Sequence, residues 1–131
     1  MSEQHGTAGA EPVTFINVFE IPADQAPGFI EGWAERARIM STKRGFRDSM
    51  LHRALSPEGR FQLINVAHWD SAEAYADAHT DPEFQARIDT VRQYRQVAAN
   101  PQLYRVVAGY ALPPGTREPV PVGQAFPPAA P

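Results

Sequence analysis

FQLINVAHWDSAEAY, Phe61 to Tyr75, is the stretch that decides the fold. Taken two residues at a time, Phe61, Leu63, Asn65, Ala67 and Trp69 share one face of a strand. Asn65 is the odd member, a single amide in an apolar wall. A buried amide left unpaired costs roughly 1–3 kcal/mol, so this one has a partner or a ligand. Placed four residues before a Trp, it reads as part of a pocket that grips a polar aromatic molecule. At Asp70 the period changes to a helical one. Asp70 followed by Glu73 has the form of a capping box and predicts a helix near 71–79.

Upstream, Ser56-Pro57-Glu58-Gly59 has the composition of a hairpin turn, so 47–55 is a strand paired antiparallel with 61–69. Residues 13–21, VTFINVFEI, are β-rich and stop at Pro22, which makes them the first strand. Asn17 lies between Phe15 and Phe19 on one of its faces, the same device as Asn65. Phe29, Ile30, Trp33, Ala37 and Met40 have helical spacing and place a helix over 26–42, with Pro27 in its first turn and Gly45 at its exit. Downstream, Asp81-Pro82 is an N-cap followed by proline at the first helical position, and the helix it opens runs to about Gln96. Asn100-Pro101 reads as a breaker and 103–112 as the last strand.

The order is β-α-β-β-α-β, a ferredoxin-like α+β fold with a four-stranded antiparallel sheet and helices on one face. The other sheet face is also apolar. That predicts association through it, as a twofold homodimer forming a dimeric α+β barrel. Three segments follow: a flexible leader over 1–12, the domain over 13–112, and a Pro-rich tail over 113–131. The tail reads as polyproline-like, either free or packed along a partner subunit through Val120, Val122 and Phe126.

Composition bounds the chemistry. The chain has 131 residues, one domain's worth, and no Cys, so neither a disulfide nor a thiolate nucleophile is available. A net charge of −3 argues against a nucleic-acid surface. The first twelve residues lack a basic n-region and an apolar h-region, and no apolar run approaches the roughly 20 residues that span a bilayer. A cytoplasmic location is the default. The four His have no HxH or HxxxH spacing, so no metal centre is expected. The basic run Arg36, Arg38, Lys43, Arg44, Arg47 and Arg53 reads as a solvated face.

Asn65-x-x-x-Trp69-x-x-x-x-x-Tyr75 resembles the Asn, Trp and Tyr spacing of the antibiotic biosynthesis monooxygenase family, small dimeric α+β barrels; the likeness spans about 13–110. His52 stands where those enzymes carry a second-strand His, and Arg87 is the nearest match to their last-helix Arg, one residue out of register. The resemblance implies a cofactor-independent monooxygenase that oxidises an anthrone-like phenol to a quinone with O2. Asn65 and Trp69 would hold oxyanions, Tyr75 would orient the rings and His52 would take the proton. Asn17, Phe15, Leu63 and Arg87 would contact the substrate. Haem-degrading members are similar too; their Asn matches Asn17, but their Trp and ligand His fall near Ala78 and Arg87, with His79 close by. A polyketide cyclase or isomerase, and a non-catalytic ligand-binding domain, are the remaining readings on this scaffold.

Overall fold

The computed structural model describes residues 11–91 and 96–122. The strands are β1 (Val13–Glu20), β2 (Phe46–Arg53), β3 (Phe61–Trp69) and β4 (Ala98–Tyr104), and the helices are α1 (Ala26–Met40), α2 (Ala72–Ala78) and α3 (Pro82–Val91). The sheet order is β2-β3-β1-β4 with every neighbour antiparallel. This is the ferredoxin-like arrangement, with the three helices on one face.

Register places the site. Asn17 lies opposite Asn65, Phe15 opposite Ala67 and Phe19 opposite Leu63. These side chains share the helix-facing side of the sheet because the period of a strand is two. Two apolar clusters fill the space beneath the helices. One joins Phe15, Ala67 and Trp69 to Ile39, Met40, Ala78 and Phe84. The other joins Phe19 and Leu63 to Ile21, Ala26 and Phe29. The opposite face presents half-buried Ile16, Val18, Ile64 and Val66 and exposed Met50.

Element ends follow local chemistry, with three departures from expectation. The cap of α2 is Ser71, whose Oγ accepts from the Ala74 N–H at 3.0 Å. Asp70, the expected cap, instead pairs with Arg47 at 2.5 Å while its N–H donates to the Gly45 carbonyl. Asp81 caps α3 as expected, its Oδ1 accepting from the Phe84 N–H at 2.9 Å. The second departure is β4, which starts five residues early and contains Asn100-Pro101. Proline is tolerated there because β4 is an edge strand. Side-chain amides repair the ladder: the Asn100 N–H donates to Asn17 Oδ1 at 3.0 Å, and Asn100 Nδ2 donates to the Val18 carbonyl at 2.9 Å. The third is residues 110–121, where Tyr110–Ala111 (β5) and Val120–Pro121 (β6) pair as a small hairpin rather than running as free polyproline. The leader over 1–10, residues 92–95 of the expected last helix and the tail from 123, Phe126 included, lie outside the described residues. Among the described residues no helix is long and apolar enough to cross a membrane.

Candidate active site

A cavity of about 620 Å³ lies between the sheet and the helices, within the range of small-molecule sites. Asn17 and Asn65 form its floor, α1 contributes one wall through Phe29, Trp33, Arg36 and Met40, and Trp69, Tyr75, His79 and Phe84 close one end.

The floor is a pair of amides with both oxygens engaged. A backbone N–H can only donate, so the bond from Asn100 fixes the Asn17 oxygen toward β4. The Asn65 Oδ1 accepts from Ser49 Oγ at 2.9 Å. Neither NH2 group donates to a protein atom among the described residues, so each is left for a ligand. Trp69 is buried, and its indole N–H donates to no protein atom among the described residues. No buried side-chain nitrogen or oxygen there lacks a partner, so that N–H opens onto the cavity. The floor and its corner are thus rich in donors.

The aromatic end holds an acceptor. His79 is the C-cap residue of α2, one helical turn beyond Tyr75, and its ring stacks 4.0 Å from the Tyr75 ring. Phe84 meets it edge-on at 4.9 Å, and Trp69 and Phe15 lie just beyond 6 Å. His79 Nδ1 lies 2.7 Å from the Tyr75 carbonyl. A carbonyl can only accept, so Nδ1 carries the hydrogen and Nε2 is bare in the neutral ring. Burial pushes the His79 pKa below 6.5, offset in part by that backbone bond. Burial likewise raises the Tyr75 hydroxyl above its ordinary 10.0.

The structure brings Asn17, Asn65, Trp69, Tyr75 and Phe15 of the expected residues to the cavity and leaves three out. His52 pairs with Ile64 on the opposite sheet face, exposed, with its ring nitrogen 3.3 Å from the Ile64 carbonyl. One residue of parity decides this: Leu51, not His52, faces the same way as Asn65. His68 lies on that outer face too, as its alternation with Asn65 implies, 2.7 Å from Asp48. Arg87 is an exposed α3 residue within 4 Å of Glu35 and Glu83, outside the cavity. Leu63 is fully buried core beneath Phe29 rather than a cavity wall.

Two ionisable cavity residues, His79 and Arg36, were not among the expected site residues. His79 and Tyr75 are four apart after a capped start, a spacing that puts both on one helix face. Arg36 sits within the stripe Phe29, Trp33, Arg36, Met40, whose spacing places it on the buried side of α1 rather than on a solvated face.

The comparisons agree with this fold. Residues 12–90 match the family model described as antibiotic biosynthesis monooxygenase. A candidate monooxygenase from Shewanella loihica is 33% identical, with a TM-score of 0.61 over 74% of this chain and 95% of that one. SnoaB, a cofactor-independent oxygenase from Streptomyces nogalater, is 25% identical, with a TM-score of 0.61 over 79% of this chain and 99% of that one. A heme oxygenase (mycobilin-producing) from Mycobacterium tuberculosis is 36% identical over 64 residues, 49% of this chain and 59% of the relative, so the match spans less than two thirds of that protein. The chain belongs to the antibiotic biosynthesis monooxygenase family, and these relatives support an oxidoreductase.

Proposed function

We propose that this member of the antibiotic biosynthesis monooxygenase family is a cofactor-independent oxygenase of a polycyclic phenol of the anthrone type. The observation that carries the reading is the opposition, in one cavity, of a bare His79 Nε2 and two amide NH2 groups. Such a substrate has an acidic C–H conjugated across the ring to an oxygen that becomes negative when the proton leaves. His79 takes the proton. Asn17 and Asn65 donate to the oxyanion, the arrangement that stabilises developing charge most effectively in a site screened from water. The resulting carbanion gives its electron pair to O2, in two one-electron steps, and a C–O bond forms. The peroxide takes the proton back from His79. Loss of water then leaves the quinone carbonyl, so one oxygen atom enters the product and the other leaves as water. Trp69 adds an N–H at the same end, and Tyr75 orients the rings by stacking. The likeness to SnoaB supports the cofactor-free form of this chemistry.

Labelled dioxygen tests it. The reading expects protein freed of metal and haem to place one labelled atom in the quinone and the other in water. Label taken instead from solvent would overturn it.

The subunits would pair through the outer sheet face, where Ile16, Val18, Ile64 and Val66 form an apolar patch.

A second reading, haem oxygenation, has its own support in the same histidine. A bare Nε2 in an aromatic cavity would hold a haem iron, and one relative is a heme oxygenase. Haem bound there would supply the oxygen-activating iron. Titration with haemin separates the two: a Soret shift lost in His79→Ala favours this reading, and no shift removes it.

A further inference from the structure

Arg36 is 7% exposed, yet no carboxylate among the described residues reaches it. Among the described residues that line the cavity none is an Asp or Glu, and Arg36 is the one of fixed charge. Its neighbour Glu35 is turned the other way, toward Arg38 and Arg87. The guanidinium has no hydrogen-bond acceptor among the described residues; its contact is with the Phe29 ring, 5.2 Å from the centroid. Gly32, one turn earlier, leaves room for this pose, since a Cβ there would lie 3.2 Å from Arg36 Nη1. Because no buried side-chain nitrogen among the described residues lacks a partner, the guanidinium donors of Arg36, which lines the cavity, are not sealed off and are open to a ligand there. Burial lowers the pKa to about 10, so the group remains charged at neutral pH.

A buried, uncompensated cation is strongly unfavourable, and an anionic ligand group beside it would supply the missing partner. A planar fork of N–H donors matches a carboxylate better than any other common organic anion except phosphate. Phosphate recognition usually adds a glycine-rich loop or a further cation, and among the described lining residues Arg36 is the one fixed cation. The rest of the cavity is aromatic and suited to flat rings. The Phe29 ring places Arg36 toward the cluster of Phe19, Phe29 and Leu63, whereas Tyr75 and Phe84 belong with Phe15 and Trp69 in the other cluster. The cavity is therefore polarised, with a cation toward one end, the histidine at the other and the amides between.

We infer that Arg36 anchors a carboxylate on the substrate, so that the ligand is a planar polycyclic acid bound with its acid group at the Phe29 end and its reacting ring between the amides and His79. The orientation of the ring rests on the oxygenase reading; the anchor does not. Two kinds of molecule share this chemistry, a phenolic polycyclic acid and a porphyrin with its propionates.

Both tryptophans, Trp33 and Trp69, line the cavity, so fluorescence quenching reports occupancy without turnover. The probes are two matched pairs: anthraquinone carboxylate with anthraquinone carboxamide, and haemin with haemin dimethyl ester. In one pair the wild-type protein binds the acid about tenfold or more tightly than its neutral partner, and the pair that shows the preference identifies the source. Arg36→Gln removes the preference and leaves the affinity for the neutral partner unchanged, while Arg36→Lys keeps part of it, having the charge without the fork. Equal affinities within both pairs for wild type would overturn the inference even if Arg36→Gln does not fold, and so would a preference that survives in Arg36→Gln. A protein that prefers the acid through Arg36 but consumes no oxygen would overturn the oxygenase reading and leave the anchor standing.

Discussion

A histidine accepts a proton only if one ring nitrogen is bare and lies where the proton is released. His79 meets the first condition through its bond to the Tyr75 carbonyl and the second by lining the cavity, whereas His52 lies across the sheet in solvent. Replacing His79 by Gln should lower kcat by about 10²–10⁴-fold, the usual contribution of a general base. Replacing His52 by Ala should leave kcat within about twofold, as for surface positions generally. Steady-state kinetics on the same substrate checks both. The pH profile has a definite sign. Burial holds the His79 pKa below 6.5, so the active neutral form persists below that value and the acid limb of kcat/KM should lie under 6.5. The stability linked to neutral His79 is likewise complete above 6.5 and declines as pH falls through the folded value. An acid limb above 6.5 would contradict the assignment. At this scale the sequence was legible where strand parity applied: Asn65, Trp69, Asn17 and Phe15 all face the cavity. For His52 the resemblance and the parity disagree: counted back from the hairpin turn the register is regular, His52 meets Ile64, and its side chain faces away from Asn65. The sequence was not legible for Arg36, because the charge in a basic run concealed its place in an apolar helical stripe.

The elements holding this site depend on a few local devices. Gly45 joins α1 to β2 with φ +88°, and a Cβ there would stand 2.4 Å from the Ala74 side chain of α2. Gly45→Ala combines a left-handed backbone with a clash and should cost about 2–4 kcal/mol, read from the urea midpoint. Ser71→Ala removes the cap of α2, the helix that carries Tyr75 and His79, and should cost about 1 kcal/mol. Lys43 pairs with Asp81, tying the end of α1 to the cap of α3. The hairpin of β2 and β3 and the start of α3 follow from turn and cap residues that act locally, so their sequence reading was sound. The cap of α2 shifted by one residue because Asp and Ser are adjacent and Arg47, distant in sequence, engages the Asp. The fourth strand was misplaced for a related reason. Asn-Pro signals a turn in isolation, and only the edge position and the amide of Asn17 make it strand.

At the scale of the molecule, an antiparallel sheet with helices on one face leaves the other to be covered. The outer patch of Ile16, Val18, Ile64 and Val66 predicts a dimer, at twice the 14.5 kDa chain mass by light scattering. Val66→Lys, at the centre of that patch, should shift the measured mass toward the monomer. The β5–β6 hairpin was not legible as structure, since its two-residue strands give too short a period to read. The fold itself was legible because its alternation of strand and helix patterns admits few arrangements. The central claim is that one cavity couples proton removal to oxygen consumption without a cofactor. Oxygen uptake by metal-free and haem-free protein offered an anthrone-type phenol tests it most directly, with His79→Gln, Asn65→Ala and His52→Ala measured alongside. The account predicts uptake matched mole for mole by quinone, lost in the first two variants and retained in the third. Uptake no faster than the uncatalysed reaction, or uptake that survives both cavity variants, would contradict it.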